Sequence, residues 1–201
     1  ADLHLSLTSE KPMDVFGEAW RGHAEKLERN WRERVQDDDL VLIPGDISWA
    51  MQLSAALPDL SFIGNLPGKK ILLKGNHDYW WSAIGRVRSL LPAGMRAIQN
   101  DAIVEDSIGI CGTRGWLCPG SNNFSAEDQK IYLRELDRLS LSLRALPEVT
   151  TKIAMLHFPP FLDRDRGSGF TERLEEAGVD IVVYGHLHGD ANRYAFEGEK
   201  N

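Results

Sequence analysis

The chain has 201 residues, 42% of them hydrophobic and 26% charged, with a formal net charge of -7. That length and composition suit one soluble globular domain, residues 1–201, with a core large enough to need no disulfide. Net acidity excludes the basic face of a broad binder of large nucleic acids, but not a small phosphate ester, because two bound divalent cations would add about +4 where a phosphate docks.

In chain order, Asp2-Leu3-His4 comes almost without a preceding strand, so a truncated N-terminal strand is expected. Residues 12–35 predict a helix: Phe16, Trp20, Leu27 and Trp31 recur at spacings of three to four or their multiples. Its other face, Arg21, Lys26, Glu28, Arg29 and Arg32, has mixed signs and marks a solvated surface rather than a nucleic-acid footprint. Leu40–Ile43 predicts a short buried strand closed by Pro44-Gly45. A second helix is expected around Met51–Leu66, interrupted near Pro58, and another strand over Lys69–Lys74. Arg96–Trp116 breaks into short apolar runs separated by Asn100-Asp101, Asp106-Ser107 and glycines, which predicts an antiparallel meander. Ser125-Ala126-Glu127-Asp128 resembles a capping box and opens a long helix to about Ala145. Strands over Lys152–Leu156 and Asp180–Tyr184 flank a loop and a short helix at Thr171–Ala177, and Arg193–Phe196 predict an edge strand. Helices alternating with strands, plus an antiparallel section, predict mixed sheets covered by helices on both sides.

No apolar run approaches the ~18 residues that span a bilayer, and no charged-then-apolar leader stands at Ala1. Cys111 and Cys118 are not at CxxC spacing and are expected to be buried, reduced thiols. A cytoplasmic protein without a membrane partner is the expectation. Nothing in the sequence sets its oligomeric state.

The polar motifs fall just after strands, where ligands bind in open α/β sheets. Five histidines, His4, His77, His157, His186 and His188, stand in such positions, with Asp2, Asp46, Asn76 and Asp78 among them. Imidazoles, carboxylates and one amide are what borderline divalent metals take. Asp2 and His4 are two apart, as are His186 and His188, so in extended backbone each pair faces one cleft. Asp46 and Asn76 each follow a glycine, which permits a sharp exit from the strand. Taken singly, His157 reads equally as a core histidine, and Asp46 and Asn76 as turn residues. Taken together, in this order, they read as a metal centre; His23, on the first helix, stays outside it.

The series Asp2-x-His4, Gly45-Asp46, Gly75-Asn76-His77-Asp78, His157 and Gly185-His186-x-His188 resembles the motif set of the calcineurin-like metallophosphoesterases. The resemblance implies an α/β fold: a four-layer αββα sandwich of two mixed β-sheets flanked by helices. It implies two divalent ions, manganese first, with iron, zinc or cobalt also compatible. Asp2, His4, Asp46 and His188 would hold one ion; Asp46, Asn76, His157 and His186 would hold the other, with Asp46 bridging. Two such cations repel, and a bridging carboxylate offsets that while fixing their separation. A water between them becomes a hydroxide nucleophile near neutral pH and attacks phosphorus in line. His77 is implied to protonate the leaving oxygen, oriented by Asp78.

The protein-phosphatase branch of that family follows Gly-Asp with a valine-aspartate-arginine-glycine run; here Ile47-Ser48-Trp49-Ala50 follows. A small phosphomonoester or diester, nucleotides included, is therefore expected rather than a phosphoprotein. The stretches Pro44–Trp49 and Asn76–Trp81 are similar to those of a bacterial group of predicted phosphohydrolases. Tyr79, Trp80 and Trp81, with Trp49 and Trp116, are either rim aromatics that stack a base or core plugs. Arg114 is the candidate phosphate-gripping guanidinium outside the metal set. The loop Asp163–Gly169 is either a substrate flap or a solvated loop. The alternatives are a metal-dependent nuclease, disfavoured by acidity, and a non-catalytic metal-bound interaction module, which predicts motif decay that this chain does not show.

Overall fold

The computed structural model describes residues 1–8, 13–162 and 166–188. Alternation along one strand sets out its layers. In β2 (Lys69–Leu73), Ile71 and Leu73 face a second sheet, while Leu72 faces helices on the outside. β1 (Leu40–Pro44), β2 and β3 (Met95–Ala97) form one parallel sheet in that order. The second sheet runs β4 (Ile103–Glu105), β5 (Ile108–Thr113), β6 (Thr151–Leu156) and β7 (Ile181–Tyr184), with β4 antiparallel and the rest parallel.

Ile71, Leu73, Ile98, Ile110 and Met155 fill the space between the sheets. Outside the first sheet, Trp31 of α1 (His23–Arg34), Leu60 and Ile63 of α2 (Leu53–Gly64) and Val87 of α3 (Ile84–Leu90) cover Ile43 and Leu72. Outside the second, Tyr132, Leu136 and Leu139 of α4 (Ala126–Arg144) and Phe170 and Leu174 of α5 (Gly169–Glu176) cover Cys111, Ala154 and Leu156. The helix–sheet–sheet–helix order is the one the sequence predicts.

Several local expectations are corrected. The helix expected over 12–35 is two 3-10 turns, Met13–Phe16 and Glu18–Trp20, followed by α1. Gly17 at φ 122° and Gly22 at φ 59° hold backbone angles that no helix interior accepts. α2 runs through Pro58 without interruption. The missing N–H removes one bond, and burial of Ala56, Leu60 and Ile63 holds the helix. α3 was not legible, because its single turn pair offers too little periodicity. The expected meander is one antiparallel pair, β4–β5, turning at left-handed Asp106; β3 instead joins the first sheet in parallel.

Ser125 does cap α4 in a full capping box with Asp128. Cys111 and Cys118 are free and buried, and burial pushes the Cys111 thiol up to about 12. The edge strand expected at Arg193–Phe196, and residues 163–165 of the loop after His157, lie outside the described residues. No helix among the described residues is long and apolar enough to cross a membrane.

β1, β2, β6 and β7 end at Pro44, Leu73, Leu156 and Tyr184, on the same side of the sandwich. The first residues are laced to the exit of β1. The amides of Asp2, His4 and Leu5 donate to the carbonyls of Gly45, Asp46 and Ile47, each at 2.9 Å. Buried Asp59 of α2 fixes this lacing, accepting from the Leu7 amide at 2.9 Å and from the Ser48 hydroxyl.

Candidate metal centre

Seven non-glycine residues among those described have positive φ, and four of them are Asp2 (59°), His4 (45°), Asp46 (53°) and His186 (70°). Such backbone is uncommon outside glycine and concentrates where the surrounding structure forces it for function. At Asp46 and His186 it turns the chain just past the ends of β1 and β7, and all four side chains reach one crevice.

Two groups of donor atoms meet there. In one, an atom each from Asp2, His4, Asp46 and His188 lie within 4.8 Å of one another; in the other, atoms of Asp46, His157 and His186 do so. Asp46 belongs to both. Asn76 completes the second group, its Oδ1 lying 2.6 Å from His157 Nε2 and 3.1 Å from His186 Nδ1. All seven residues expected to bind metal are thus brought together. His4 Nε2 and His188 Nε2 stand 3.3 Å apart, and His188 Nε2 is 3.3 Å from Asp2 Oδ1.

The orientation of each donor has a cause. His157 Nδ1 donates to the Pro44 carbonyl at 3.0 Å, which leaves Nε2 as the free lone pair facing Asp46 Oδ2 at 3.4 Å. Asp46 Oδ1 accepts the His77 amide at 2.8 Å, while its buried Oδ2 makes no hydrogen bond. A buried carboxylate oxygen left open among imidazole nitrogens is what a cation would satisfy. Burial alone would raise the Asp46 carboxyl, yet His157, the His77 amide and His4 hold it at about 2. Burial pushes His4 and His186 down to about 4, so both are neutral at pH 7, the form that ligates metal. His188 is shifted the other way, chiefly by its bond to Asp2.

Two glycines let the β1 and β2 exits touch. A Cβ on Gly75 would lie 2.1 Å from Asp46 Oδ1 and 2.3 Å from its amide; a Cβ on Gly45 would lie 2.6 Å from Gly75 Cα. Gly75→Ala should therefore displace Asp46, lowering stability by about 1–3 kcal/mol, the usual cost of overpacking. Thermal unfolding together with metal content after gel filtration checks this. A variant with native Tm and metal content would show that the contact is relaxed.

Asp78 does not orient His77. It is fully buried and accepts from the amides of Asp46 (2.9 Å), Ile47 (2.8 Å), Ser48 (3.2 Å) and Gly75 (2.8 Å) and from Trp80 Nε1 (2.9 Å). Burial raises its carboxyl pKa, while the amide donors of Gly75, Ile47 and Ser48 oppose that. Its role is to tie the β1 and β2 exits together, and so to hold Asp46. Trp80 is likewise corrected: 1% exposed and bonded to Asp78, it is a core plug and cannot stack a substrate.

His77 lies at the rim of the donor cluster, its ring 5.8 Å from His4 and 4.7 Å from Trp49. Tyr79 is exposed and meets His77 edge-on at 6.2 Å. Arg114 stands on another flank, ion-paired to Glu135 at 3.2 Å and stacked on Trp116 at 4.6 Å. Beside the donor cluster, His4, His77 and His188 share a cavity of about 340 Å³ with Met13, Phe16, Trp20 and Trp49. Phe16 and Trp20 were legible only as a helix face. The glycine-broken turns place them over the site instead.

The match with the calcineurin-like phosphoesterase family model covers residues 1–190. The chain belongs to that family, whose members use divalent metal ions to hydrolyse phosphoesters. It is 26% identical over 176 residues to the Gene 66 protein of Mycobacterium phage D29, covering 84% of this chain and 68% of the phage protein. Phosphopantetheinyl hydrolase from Mycobacterium tuberculosis has a similar fold, with TM-score 0.51 and 15% identity over 88% of this chain and 80% of its own. A protein of unknown function from Aquifex aeolicus is similar at TM-score 0.43 and 15% identity, covering 90% of this chain and 84% of that one.

Proposed function

We propose that this protein hydrolyses a small phosphate mono- or diester with two divalent cations, manganese first among them. The observation that supports this most is the sharing of Asp46 between two donor groups. Asp2, His4, Asp46 and His188 would hold one ion, and Asp46, Asn76, His157 and His186 the other. Bound there, the pair supplies Lewis acidity toward the phosphoryl oxygens and makes water acidic enough to attack near neutral pH.

The chain's own residues supply the rest. His77, beside the donors and facing the aromatic cavity, is placed to give a proton to the departing oxygen. Met13, Phe16, Trp20 and Trp49 form an apolar wall that excludes water and takes the organic part of the ester, an aromatic ring or nucleobase included. Asp78, through its amide bonds, keeps the loop that carries Asn76 and His77 against the one that carries Asp46. The similar fold of a phosphopantetheinyl hydrolase is consistent with this reaction class. The net charge of -7 favours a small ester over a nucleic-acid strand.

The test is hydrolysis of bis-p-nitrophenyl phosphate and p-nitrophenyl phosphate by manganese-loaded protein. Turnover that chelation abolishes and manganese restores is the expected result. No turnover of either ester by fully metallated protein would leave a metal-bound binding module in its place.

A further inference from the structure

A second cavity, of about 150 Å³, opens at the same end of the sandwich beside the exits of β2, β3 and β5. Its charged lining is Lys74, Arg114, Arg138 and Glu135, three cations against one carboxylate, in a chain whose net charge is -7. A surface that is acidic overall does not gather three cations in one hollow by composition alone.

The cations are held in place, and they are not neutralised. Glu135, 1% exposed, receives Arg114 Nη2 at 3.2 Å and Arg138 Nη1 at 2.6 Å on the same oxygen, Oε1. Its other oxygen accepts the Thr113 hydroxyl. One carboxylate thus positions two guanidiniums, each with donors to spare. Arg114 is further braced by stacking on Trp116, and its buried Nε makes no hydrogen bond. Lys74 Nζ donates to the Trp81 carbonyl at 3.3 Å, which uses one of its three protons. Gln99 also lines the hollow; its Oε1 accepts Trp81 Nε1 at 2.8 Å, so its remaining group is the NH₂ donor.

The hollow adjoins the metal centre through the backbone. Lys74 stands two residues before Asn76, at most about 7 Å along the chain. The Arg114 carbonyl accepts the amides of His157 (3.0 Å) and Phe158 (2.9 Å), so the strand exits that carry Arg114 and the ligand His157 are bonded together. The aromatic cavity and this cationic one therefore flank the donor cluster as separate compartments with opposite chemistry.

We infer that the Lys74–Arg114–Arg138 hollow is a subsite for a second phosphoryl group, so that the substrate carries one phosphate for cleavage and another for recognition. Paired guanidiniums with an ammonium match a phosphoryl dianion in charge and in donor geometry. This rests on the hydrolase reading, which places the scissile phosphate at the shared Asp46.

The test uses non-cleavable probes: ethane-, propane- and butane-diphosphonate, each against the alkyl monophosphonate of equal length, titrated calorimetrically into manganese-loaded protein. The readout is the ratio of the two affinities, in which any general loss of phosphonate binding cancels. For at least one linker the diphosphonate should bind at least tenfold tighter in the native protein. That ratio should fall toward one in Arg138→Gln and in Lys74→Met, which alter different elements. A ratio near one for every linker in the native protein would overturn the inference, as would a native ratio that survives in both variants. Absence of ester hydrolysis beside an intact, variant-sensitive ratio would count against the hydrolase reading and leave the subsite standing.

Discussion

Asp46→Asn should leave a folded protein that holds neither cation tightly, with metal affinity lower by more than about 100-fold at both positions. The comparison is with substitutions behind the ligands, which already weaken binding by about 10–100-fold. Asp46 Oδ2 faces both His157 Nε2 (3.4 Å) and His4 Nε2 (3.8 Å). An amide in its place either turns an NH₂ toward the cations or offers them a neutral oxygen, so the charge that offsets cation–cation repulsion is gone in both orientations. The fold should survive. Asparagine has nearly the same shape, its carbonyl can keep the His77 amide bond, and it is among the residues that best tolerate the φ of 53° found here. Metal content after gel filtration, with circular dichroism as the check on folding, gives the answer. Retention of two tightly bound ions would remove Asp46 from the bridging position.

The ends of the strands that carry Asp46 and Asn76 are legible in the sequence. Leu40–Ile43 and Ile71–Leu73 are apolar runs followed within two residues by glycine, and the residue after each glycine is a ligand-type side chain. The layer order and the capping box at Ser125 follow from equally local signals. Adjacency in the chain does not carry over to adjacency in the site. His77 and Asp78 are neighbours in the chain, yet the tight turn that follows, with the Tyr79 amide on the His77 carbonyl at 2.8 Å and the Trp81 amide on the Asp78 carbonyl at 3.1 Å, sends them in opposite directions. One borders the crevice and the other is buried under it. Trp80 goes with Asp78 for the same reason.

Long-range pairs escaped for a different reason. Glu135 and Arg138 are recognisable as an i,i+3 pair on a helix, but Arg114 reaches Glu135 only because β5 packs against α4. Nothing in the spacing of Lys74, Arg114 and Arg138 announces a common cavity. The aromatic wall was hidden by a period error. Phe16 and Trp20 fit a helix until Gly17 and Gly22 are given their positive φ, which turns that segment across the mouth of the site. Local propensity explains the frame of this protein, while its compartments are products of tertiary packing.

The second large effect concerns His77. His77→Ala should keep its metal and lose turnover by roughly 10²–10⁴-fold, the range for removal of a general acid. Metal should stay because the His77 ring does not belong to either donor group, and the contact it makes with Asp46 runs through its backbone amide, which alanine retains. The loss should also depend on the ester. A p-nitrophenolate departs without a proton, so bis-p-nitrophenyl phosphate should suffer least. An alkyl alkoxide needs protonation in the transition state, so a methyl or glyceryl ester should suffer most. A slope of rate against leaving-group pKa, measured for native and variant protein, separates this from simple damage to the site. Damage would depress every ester alike, whereas loss of the acid steepens the slope. An unchanged slope with near-normal rates on alkyl esters would take His77 out of the chemistry and leave it, with Trp49 and Tyr79, as part of the wall that shapes the cavity.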